Sequence, residues 1–243
     1  DLEKSLNRIN QADQFRLRAT LTPGENPGET DVKLDVAERQ PWQITPTFDN
    51  QGRPFIGTYR WGTEVSNNNL FGLGDRFFAK WFMGARHTGV GTSYFLPLNR
   101  FGTELGLNFG FNHVDPNIPV DDPQPNIIGN AYTYGIQLAQ PLDKERNWVA
   151  DVGFSARRIS TFINGDRAEP NGRDDIRSVI SGLTYNNVDR YGRTFARGQM
   201  TFAPNWLGAD TSFWKAETFL TRLVRLPANN LLLFRGYAQF TPD

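Results

Sequence analysis

Few residues in this chain of 243 have the types and spacing that catalysis or metal binding requires. The two histidines, His87 and His113, have no companions at metal-ligand spacing, and the chain contains no cysteine. A serine nucleophile would need a histidine and an acid on adjacent strands, and neither histidine offers such a set. We therefore predict no catalytic residues, no metal site and no cofactor, and we expect that the chain is not an enzyme.

Two short motifs receive a structural interpretation. The run GLGD at 72–75 contains Gly-x-Gly, but a strand-like segment follows it, whereas a phosphate cradle would need a helix there. We interpret this run as a tight turn. The acidic pair Asp121-Asp122 lies in the polar segment DPNIPVDDPQPN, and we interpret it as part of a solvated loop rather than as a calcium site.

Polar and charged side chains within strand-like runs are the remaining candidates for function. In a β-sheet such residues form cross-strand ion pairs or line a wet surface. We favour ion pairing between strands over contact with a substrate. The charged candidates are Arg60, Glu64, Arg197, Glu217 and Arg235.

The overall composition excludes further classes of function. Lysine plus arginine equal aspartate plus glutamate at 26 each, so no overall field attracts nucleic acid or another polyanion. No apolar run approaches the length of about 18–20 residues that a membrane helix needs, and no signal peptide is recognised.

Residues 101–114, FGTELGLNFGFNHV, show which element must position the polar side chains. Phenylalanine and leucine alternate with glycine and asparagine, and a period of two is typical of a β-strand. The outer face of a soluble strand would carry lysine, threonine or glutamate. A face of glycine and asparagine is instead typical of a strand whose apolar side meets lipid and whose small, polar side meets a water-filled lumen.

The same alternation recurs along the chain from residue 42. Short turns are predicted at Pro97–Arg100, Leu142–Arg146, Asn186–Arg190 and Pro227–Asn229, with longer polar loops at 115–126 and 160–175. Short turns at one end and long loops at the other are typical of outer-membrane barrels, and about eleven strands exceed a soluble up-and-down barrel. We therefore favour a transmembrane antiparallel β-barrel over a large soluble β-sheet. The strands are predicted at 42–49, 56–66, 75–84, 89–96, 101–114, 130–140, 147–158, 176–186, 193–202, 211–225 and 230–240.

The first forty residues have a different pattern. Residues 1–11 are spaced as an amphipathic helix, and two alternating runs follow, FRLRATLTPG and ETDVKLDVAERQ. This is half of a small α/β module, and Pro41-Trp42 marks its boundary. We predict two parts, 1–40 and 41–243, and because Asp1 lies inside the predicted helix we expect a piece of a longer protein.

The junction between the two parts resembles the two-partner secretion transporters of the haemolysin secretion/activation type. The resemblance rests on the runs GETDVKLDVAERQPW and FDNQGRPFIGTYRWGTEVSNNNLFGLGD, which contain the family's Asp-Asn-x-Gly and Asn-Leu-x-Gly-x-Gly-Asp turns. The end, LLLFRGYAQFTPD, is similar to the family strand that runs into a large inward-folded loop. The loop's own Val-Arg-Gly-Phe/Tyr motif is absent, and Arg235-Gly236-Tyr237 lies mid-strand.

The resemblance implies an all-β transmembrane barrel, here about eleven of its sixteen strands, preceded by the second half of a periplasmic α/β POTRA domain at 1–40. It implies an outer-membrane transporter that passes an unfolded secreted polypeptide through its pore, without nucleotide or nucleic acid. The client would bind by β-augmentation along 15–21 and 31–36, with Phe15, Leu17, Val32 and Leu34 as candidate contacts. The pore lumen would be lined by Arg60, Glu64, Asn108, Arg197 and Arg235.

Two other readings stay open. A barrel-assembly insertase of the same superfamily would share both parts, and the number of upstream POTRA domains would distinguish it from a transporter. A passive porin would begin with a strand rather than with a POTRA-like module, so we rank it below the other two.

Overall fold

The computed structural model describes residues 15–26, 28–38, 40–53, 56–116, 127–163, 172–227 and 230–242. Thirteen strands make up most of these residues, together with a short 3-10 turn at Asn205–Leu207. The predicted helix at 1–11 lies outside the described residues. The strands are β1 Phe15–Pro23, β2 Thr30–Glu38, β3 Trp42–Asp49, β4 Arg60–Asn67, β5 Arg76–Gly84, β6 His87–Pro97, β7 Glu104–Val114, β8 Ile127–Pro141, β9 Trp148–Ile163, β10 Gly172–Asp189, β11 Gly192–Ala203, β12 Phe213–Arg225 and β13 Leu231–Phe240.

Eleven of the strands form one antiparallel sheet in chain order. Each strand from β3 to β13 pairs with the next along the chain, without a crossover, and β1 pairs with β2 in a separate two-stranded sheet. This up-and-down order follows from the hairpin repeat, since antiparallel strands need only a short connection. Pro41-Trp42 therefore lies between the two sheets.

All eleven predicted strands from residue 42 onwards are present, but several of their boundaries differ from the prediction. The strand predicted to begin at 56 begins at Arg60. The loop predicted at 160–175 is shorter, because β9 continues to Ile163 and β10 begins at Gly172. The turn predicted at Asn186–Arg190 lies at Arg190 and Tyr191 instead.

These extensions have a common physical cause. At 16 and 18 residues, β9 and β10 exceed the 9–11 residues of a tilted membrane strand, so part of each lies beyond the apolar zone. Polar residues are tolerated in a ladder at that level, and they pair across it. Arg158 on β9 contacts Asp175 on β10 at 2.7 Å. Polar composition there had indicated a loop where the ladder continues.

The two ends of the sheet differ. One end, the short-turn end, carries the connections 68–75, 98–103, 142–147, 190–191 and 226–230, and the start of β3 lies there too. The other end, the long-loop end, carries the connections 50–59, 115–126, 164–171 and 204–212, with a tight turn at 85–86. This is the asymmetry that the hairpin repeat predicted.

The sheet has hardly any apolar core of its own. Among the residues that the structure describes, the buried hydrophobic ones are Ile128, Ala203 and Ala209, whereas large apolar side chains are exposed on almost every strand. A soluble sheet would bury such a face, because burying apolar surface is the main driving force of folding. Among the described residues, no helix is long and apolar enough to cross a membrane.

Candidate pore lining and membrane-facing surface

The strand register sorts the eleven-stranded sheet into two faces. Residues opposite each other in a ladder point the same way, so a row of partners can be followed from strand to strand. One row crosses six strands and is apolar throughout, with 37–47% of each residue exposed. It consists of Leu107, Ile136, Phe154, Val179, Phe202 and Trp214. We call this side of the sheet the apolar face, and the other side the polar face.

The polar face carries all five residues that were predicted to line a lumen. Arg60 and Glu64 on β4 lie opposite Gly84 and Lys80 on β5. Lys80 in turn lies opposite Gly91 on β6, and Gly91 lies opposite Gly110 on β7. Gly110 and Asn108 are two residues apart on β7, so they share this face. The same counting through β8, β9 and β10 brings Arg197 and Arg235 to this side. Alternation within single strands therefore predicted a shared face across the whole sheet.

Arg60 and Glu64 form ion pairs with adjacent strands. Arg60 on β4 contacts Asp49 on β3 at 3.0 Å, and Lys80 on β5 contacts Glu64 at 2.6 Å. Each partner is directly opposite in the ladder. Each of these carboxylates is neutralised by a cross-strand base, which is the arrangement that the sequence analysis favoured over contact with a substrate.

Arg197 has a partner that the sequence did not reveal. Its Nη1 and Nη2 donate to Asp151 Oδ1 and Oδ2 at 2.9 and 3.0 Å. Arg197 lies on β11 and Asp151 on β9, so the pair spans β10 between them. The residue of β10 opposite Asp151 is Gly182, and a Cβ there would lie 2.7 Å from both Arg197 Nη2 and Asp151 Oδ1. The glycine leaves the space through which the pair forms.

Further hydrogen bonds hold this arginine in place. Arg197 Nη1 also donates to Thr184 Oγ1 at 2.8 Å, and Nη2 to Gln199 Oε1 at 3.2 Å. The Asp151 side chain is only 9% exposed. A bidentate pair with extra acceptors is the strong form of a charge-assisted hydrogen bond.

Asn108 and Arg235 differ in how they are held. Ser93 Oγ donates to Asn108 Oδ1 at 2.9 Å from the neighbouring strand. Arg235 on β13 lies opposite Thr221 on β12. Within the described part of the chain, Arg235 makes no ion pair. Beside it, Tyr237 donates its hydroxyl to Glu217 Oε1 at 2.8 Å.

Aromatic side chains also lie on the polar face, and apart from Tyr237, which alternates with the apolar residues of β13, the sequence did not predict them there. The register places them there on five strands, and one of them, Phe82, lies between Gly62 and Gly89 of the neighbouring strands. In β5 both faces carry large apolar residues, so alternation could not separate them. The residues are Phe78, Phe82, Phe95, Phe195, Phe219 and Tyr237.

The GLGD run lies in the connection 68–75 between β4 and β5, which is a longer bent segment than the predicted tight turn. The fully buried carboxylate of Asp75 accepts the N–H of Phe71 at 3.1 Å and of Leu73 at 3.3 Å, while Asn69 Oδ1 accepts the N–H of Gly74 at 2.9 Å. Burial alone would raise the pKa of Asp75, but these N–H donors outweigh it and hold the pKa below its ordinary value. The backbone N–H groups that could bind a phosphate therefore already donate to the carboxylate of Asp75.

The hairpin of β1 and β2 exposes an apolar face. Leu21 lies opposite Val32, and Leu34 lies opposite Ala19, on the side that also carries Leu17. Val32 and Leu34 are about half exposed. Three of the four candidate client contacts thus share one side of the hairpin, while the side chain of Phe15 lies outside the described residues.

The histidines do not meet as metal ligands. His113 Nδ1 lies 2.7 Å from Asn130 Oδ1 on the next strand, and the ring of His87 packs edge-on against Phe82. Within the described ranges no three histidines or acidic residues converge on one point. The pair Asp121-Asp122 lies outside those ranges.

Comparison with known proteins decides the family. The model of the family described as "Haemolysin secretion/activation protein ShlB/FhaC/HecB" matches residues 28–241. The chain belongs to this family. The match begins in the β1–β2 hairpin and includes all eleven strands of the large sheet, so it covers both sides of the Pro41-Trp42 boundary.

Curated relatives and solved structures agree with this family. Outer membrane transporter CdiB-2 of Burkholderia pseudomallei is 25% identical over 94% of this chain and 41% of its own length, and CdiB of Dickeya dadantii is 24% identical over 87% and 39%. The chain therefore spans about two fifths of these relatives. By structure it resembles CdiB from Escherichia coli, with a TM-score of 0.81, 19% identity, and coverage of 100% of this chain and 49% of that one.

A second solved structure extends the likeness to another class. BamA from Haemophilus ducreyi lacking POTRA domains 1–3 matches with a TM-score of 0.65 and 15% identity, covering 99% of this chain and 49% of its own. At such identities these likenesses concern the fold alone. The large sheet is thus part of an outer-membrane antiparallel β-barrel, as the hairpin repeat predicted.

Proposed function

We propose that the protein to which this chain belongs is an outer-membrane transporter that secretes a partner exoprotein, an adhesin- or haemolysin-like polypeptide, through its barrel. The family match over residues 28–241 carries this proposal, because it includes β2 of the hairpin as well as all eleven strands of the large sheet. The named relatives are outer membrane transporters, not enzymes. In this proposal the chain catalyses no reaction, and transport requires neither a nucleotide nor a cofactor.

In this proposal the apolar face meets the lipid bilayer and the polar face lines the pore. Arg60, Glu64, Asn108, Arg197 and Arg235 are then lumen residues. Most of their charges are already paired, so the wall offers hydrogen-bonding groups and aromatic rings to a passing chain without a strong net field. A wall of that kind suits an extended polypeptide of varied sequence.

The segment 1–40 is proposed as the second half of a POTRA domain on the periplasmic side. Its β1–β2 hairpin connects to β3 at the short-turn end, which is the periplasmic end of outer-membrane barrels. The exposed apolar side with Leu17, Val32 and Leu34 would contact a client that adds a strand to the hairpin. Phe15 completes the proposed contact set.

Secretion can be tested directly in cells. The full-length protein is expressed with its partner exoprotein, and the exoprotein is measured in the medium and in the periplasm. We expect export that depends on the transporter and is abolished by deleting 15–38. An exoprotein that reaches the medium equally well without the transporter would overturn the proposal.

A barrel-assembly insertase is the second candidate, favoured by the structural likeness to BamA. Depletion of the protein distinguishes the two functions by the number of other proteins that are affected. Loss of a transporter affects one exoprotein, whereas loss of an insertase lowers the amount of many folded outer-membrane barrels. Heat-modifiable migration of the major barrel proteins on gels measures this difference.

A further inference from the structure

A recess of about 370 Å³ lies at the long-loop end of β8, β9 and β10. Two register rows form it on the apolar face. Tyr134, Ala156 and Arg177 are opposite one another in the first row, and Tyr132, Arg158 and Asp175 in the second. Because Ala156 is small and its neighbours are long, the alanine is the floor of the recess and the long side chains are its walls.

The recess borders the zone that meets lipid. The next row towards the short-turn end is Ile136, Phe154 and Val179, which belongs to the apolar row described above. Long loops of outer-membrane barrels face outwards, so the recess lies at the level of the outer-leaflet headgroups. It also opens to the side of the sheet that faces the bilayer, not to the polar face.

The guanidinium groups of the recess are not fully neutralised. Arg158 Nε contacts Asp175 Oδ1 at 2.7 Å, and Arg173 contacts the same carboxylate at 3.0 Å. Arg177 donates to the Leu207 carbonyl at 3.3 Å and has no carboxylate partner among the described residues. Asp210 is the other acid nearby, and its carboxylate accepts the backbone N–H of Asp175 at 2.5 Å. Three guanidiniums thus face two carboxylates, and the Arg158 side chain is 47% exposed.

The tyrosines are held in place by rings on the adjacent strand. Tyr134 packs on Phe109 with ring centroids 5.4 Å apart, and Tyr132 on Phe111 at 5.0 Å. Tyrosine at the membrane interface presents an apolar ring to chains or sugars and a hydroxyl to polar groups. Aromatic walls beside exposed arginines therefore match a ligand with both apolar and anionic parts.

We propose that this recess binds a phosphorylated glycolipid of the outer leaflet, with Arg158 and Arg177 holding its phosphate and Tyr132 and Tyr134 contacting the sugar and the first methylenes. Arginine is suited to this role because its planar donors match phosphate oxygens in pairs. The position at the edge of the apolar face favours a lipid over a free anion, since the acyl chains would lie along Phe154 and Val179. The proposal rests on the outer-membrane location included in the proposed function, but not on export.

The test uses the full-length protein purified in detergent, with lipopolysaccharide as the probe. Binding is measured for the natural protein, for the double variant Arg158→Gln/Arg177→Gln and for the matched variant Arg222→Gln. Arg222 is on the same face but at the short-turn end, where it pairs with Asp189 at 2.6 Å. With about 1 kcal/mol for each basic residue near a charged membrane surface, the double variant should bind at least about tenfold more weakly. Arg222→Gln should bind as the natural protein does.

A second measurement, on the natural protein alone, keeps the test decisive if the double variant fails to fold. Lipopolysaccharide from which the phosphates have been removed should bind about as weakly as the double variant binds the intact lipid. Equal binding of both lipids would overturn the proposal, as would full displacement by inorganic phosphate at equal concentration, which would indicate a site for free anions. Normal export by a double variant that no longer binds the lipid would leave the proposed function intact while confirming this site.

Discussion

Arg197 and Asp151 form a bidentate ion pair between two strands that are not neighbours. The strand between them, β10, carries Gly182 at the crossing point, and Arg197 Nη1 lies 2.9 Å from Asp151 Oδ1. Direct cross-strand pairs connect adjacent strands only, whereas this pair ties three strands together. The glycine is therefore as much a part of the interaction as the two charged residues.

Replacing Gly182 by alanine should weaken this interaction. The new Cβ would lie 2.7 Å from atoms of both partners, so the side chains must separate. We expect the free energy of unfolding to fall by about 1–3 kcal/mol, since Asp151 stays largely buried without its full set of donors. Urea unfolding of the full-length protein in detergent or vesicles measures the change. Gly198→Ala is the matched control, because nothing lies within 4 Å of a Cβ at that position, and an equal loss in both variants would contradict the prediction.

Adjacent residues of β7 test which face meets lipid. Leu107→Arg places a charge on the apolar face and should lower the free energy of unfolding in a bilayer by roughly 2–4 kcal/mol. Asn108→Arg points the same charge to the polar face, where Gly135 lies opposite and the loss is mainly the hydrogen bond from Ser93. The second variant should lose about 1 kcal/mol or less. Folding into vesicles at increasing urea compares the two, and equal tolerance would count against a lipid-facing belt.

The Asp75 turn should add a component to acid unfolding. The folded-state pKa of Asp75 is lowered from 3.8, so the ionised carboxylate stabilises the fold at neutral pH. That stability is fully present above about pH 5 and is lost as the pH falls through 3.8 towards the lower folded-state pKa. The midpoint of thermal unfolding between pH 5 and pH 2.5 should therefore fall less steeply in Asp75→Asn than in the natural protein. Parallel curves for the two proteins would show that this carboxylate does not contribute.

The proposed client contact can be tested by comparing substitutions on the two sides of β2. Leu34 and Lys33 are neighbours in β2 and both are exposed, but they lie on opposite sides of the hairpin. Leu34→Ser removes apolar surface from the side with Leu17 and Val32, and the amount of exoprotein in the medium should fall several-fold. Lys33→Ser should leave export close to normal. If Lys33→Ser alone reduced export, the client would bind the opposite side of the hairpin.

Much of this architecture could be predicted because the signals are local. Side chains alternate between the two faces of every strand, so residues such as Leu107 and Asn108 reveal both the strand and its two environments within a few positions. Glycine and asparagine signals work in the same way, and the connection between β4 and β5 that contains GLGD was predicted from a short run. Prediction failed where polar residues continue a ladder past the apolar zone, as at the ends of β9 and β10, because polarity there is the same in a loop and in a solvated strand.

By itself, then, the sequence determined the hairpin order, the two faces, and the lumen candidates Arg60, Glu64, Asn108, Arg197 and Arg235 as members of one face. Which of these meet which partners was decided only by the tertiary structure. Arg197 and Asp151 are 46 residues apart in the chain, and their contact depends on two strand registers and on a missing side chain at Gly182. The arginine-lined recess on the apolar face likewise requires three strands in register. Alternation specifies the side of the sheet, but it carries no information about position along the neighbouring strand, and register supplies that.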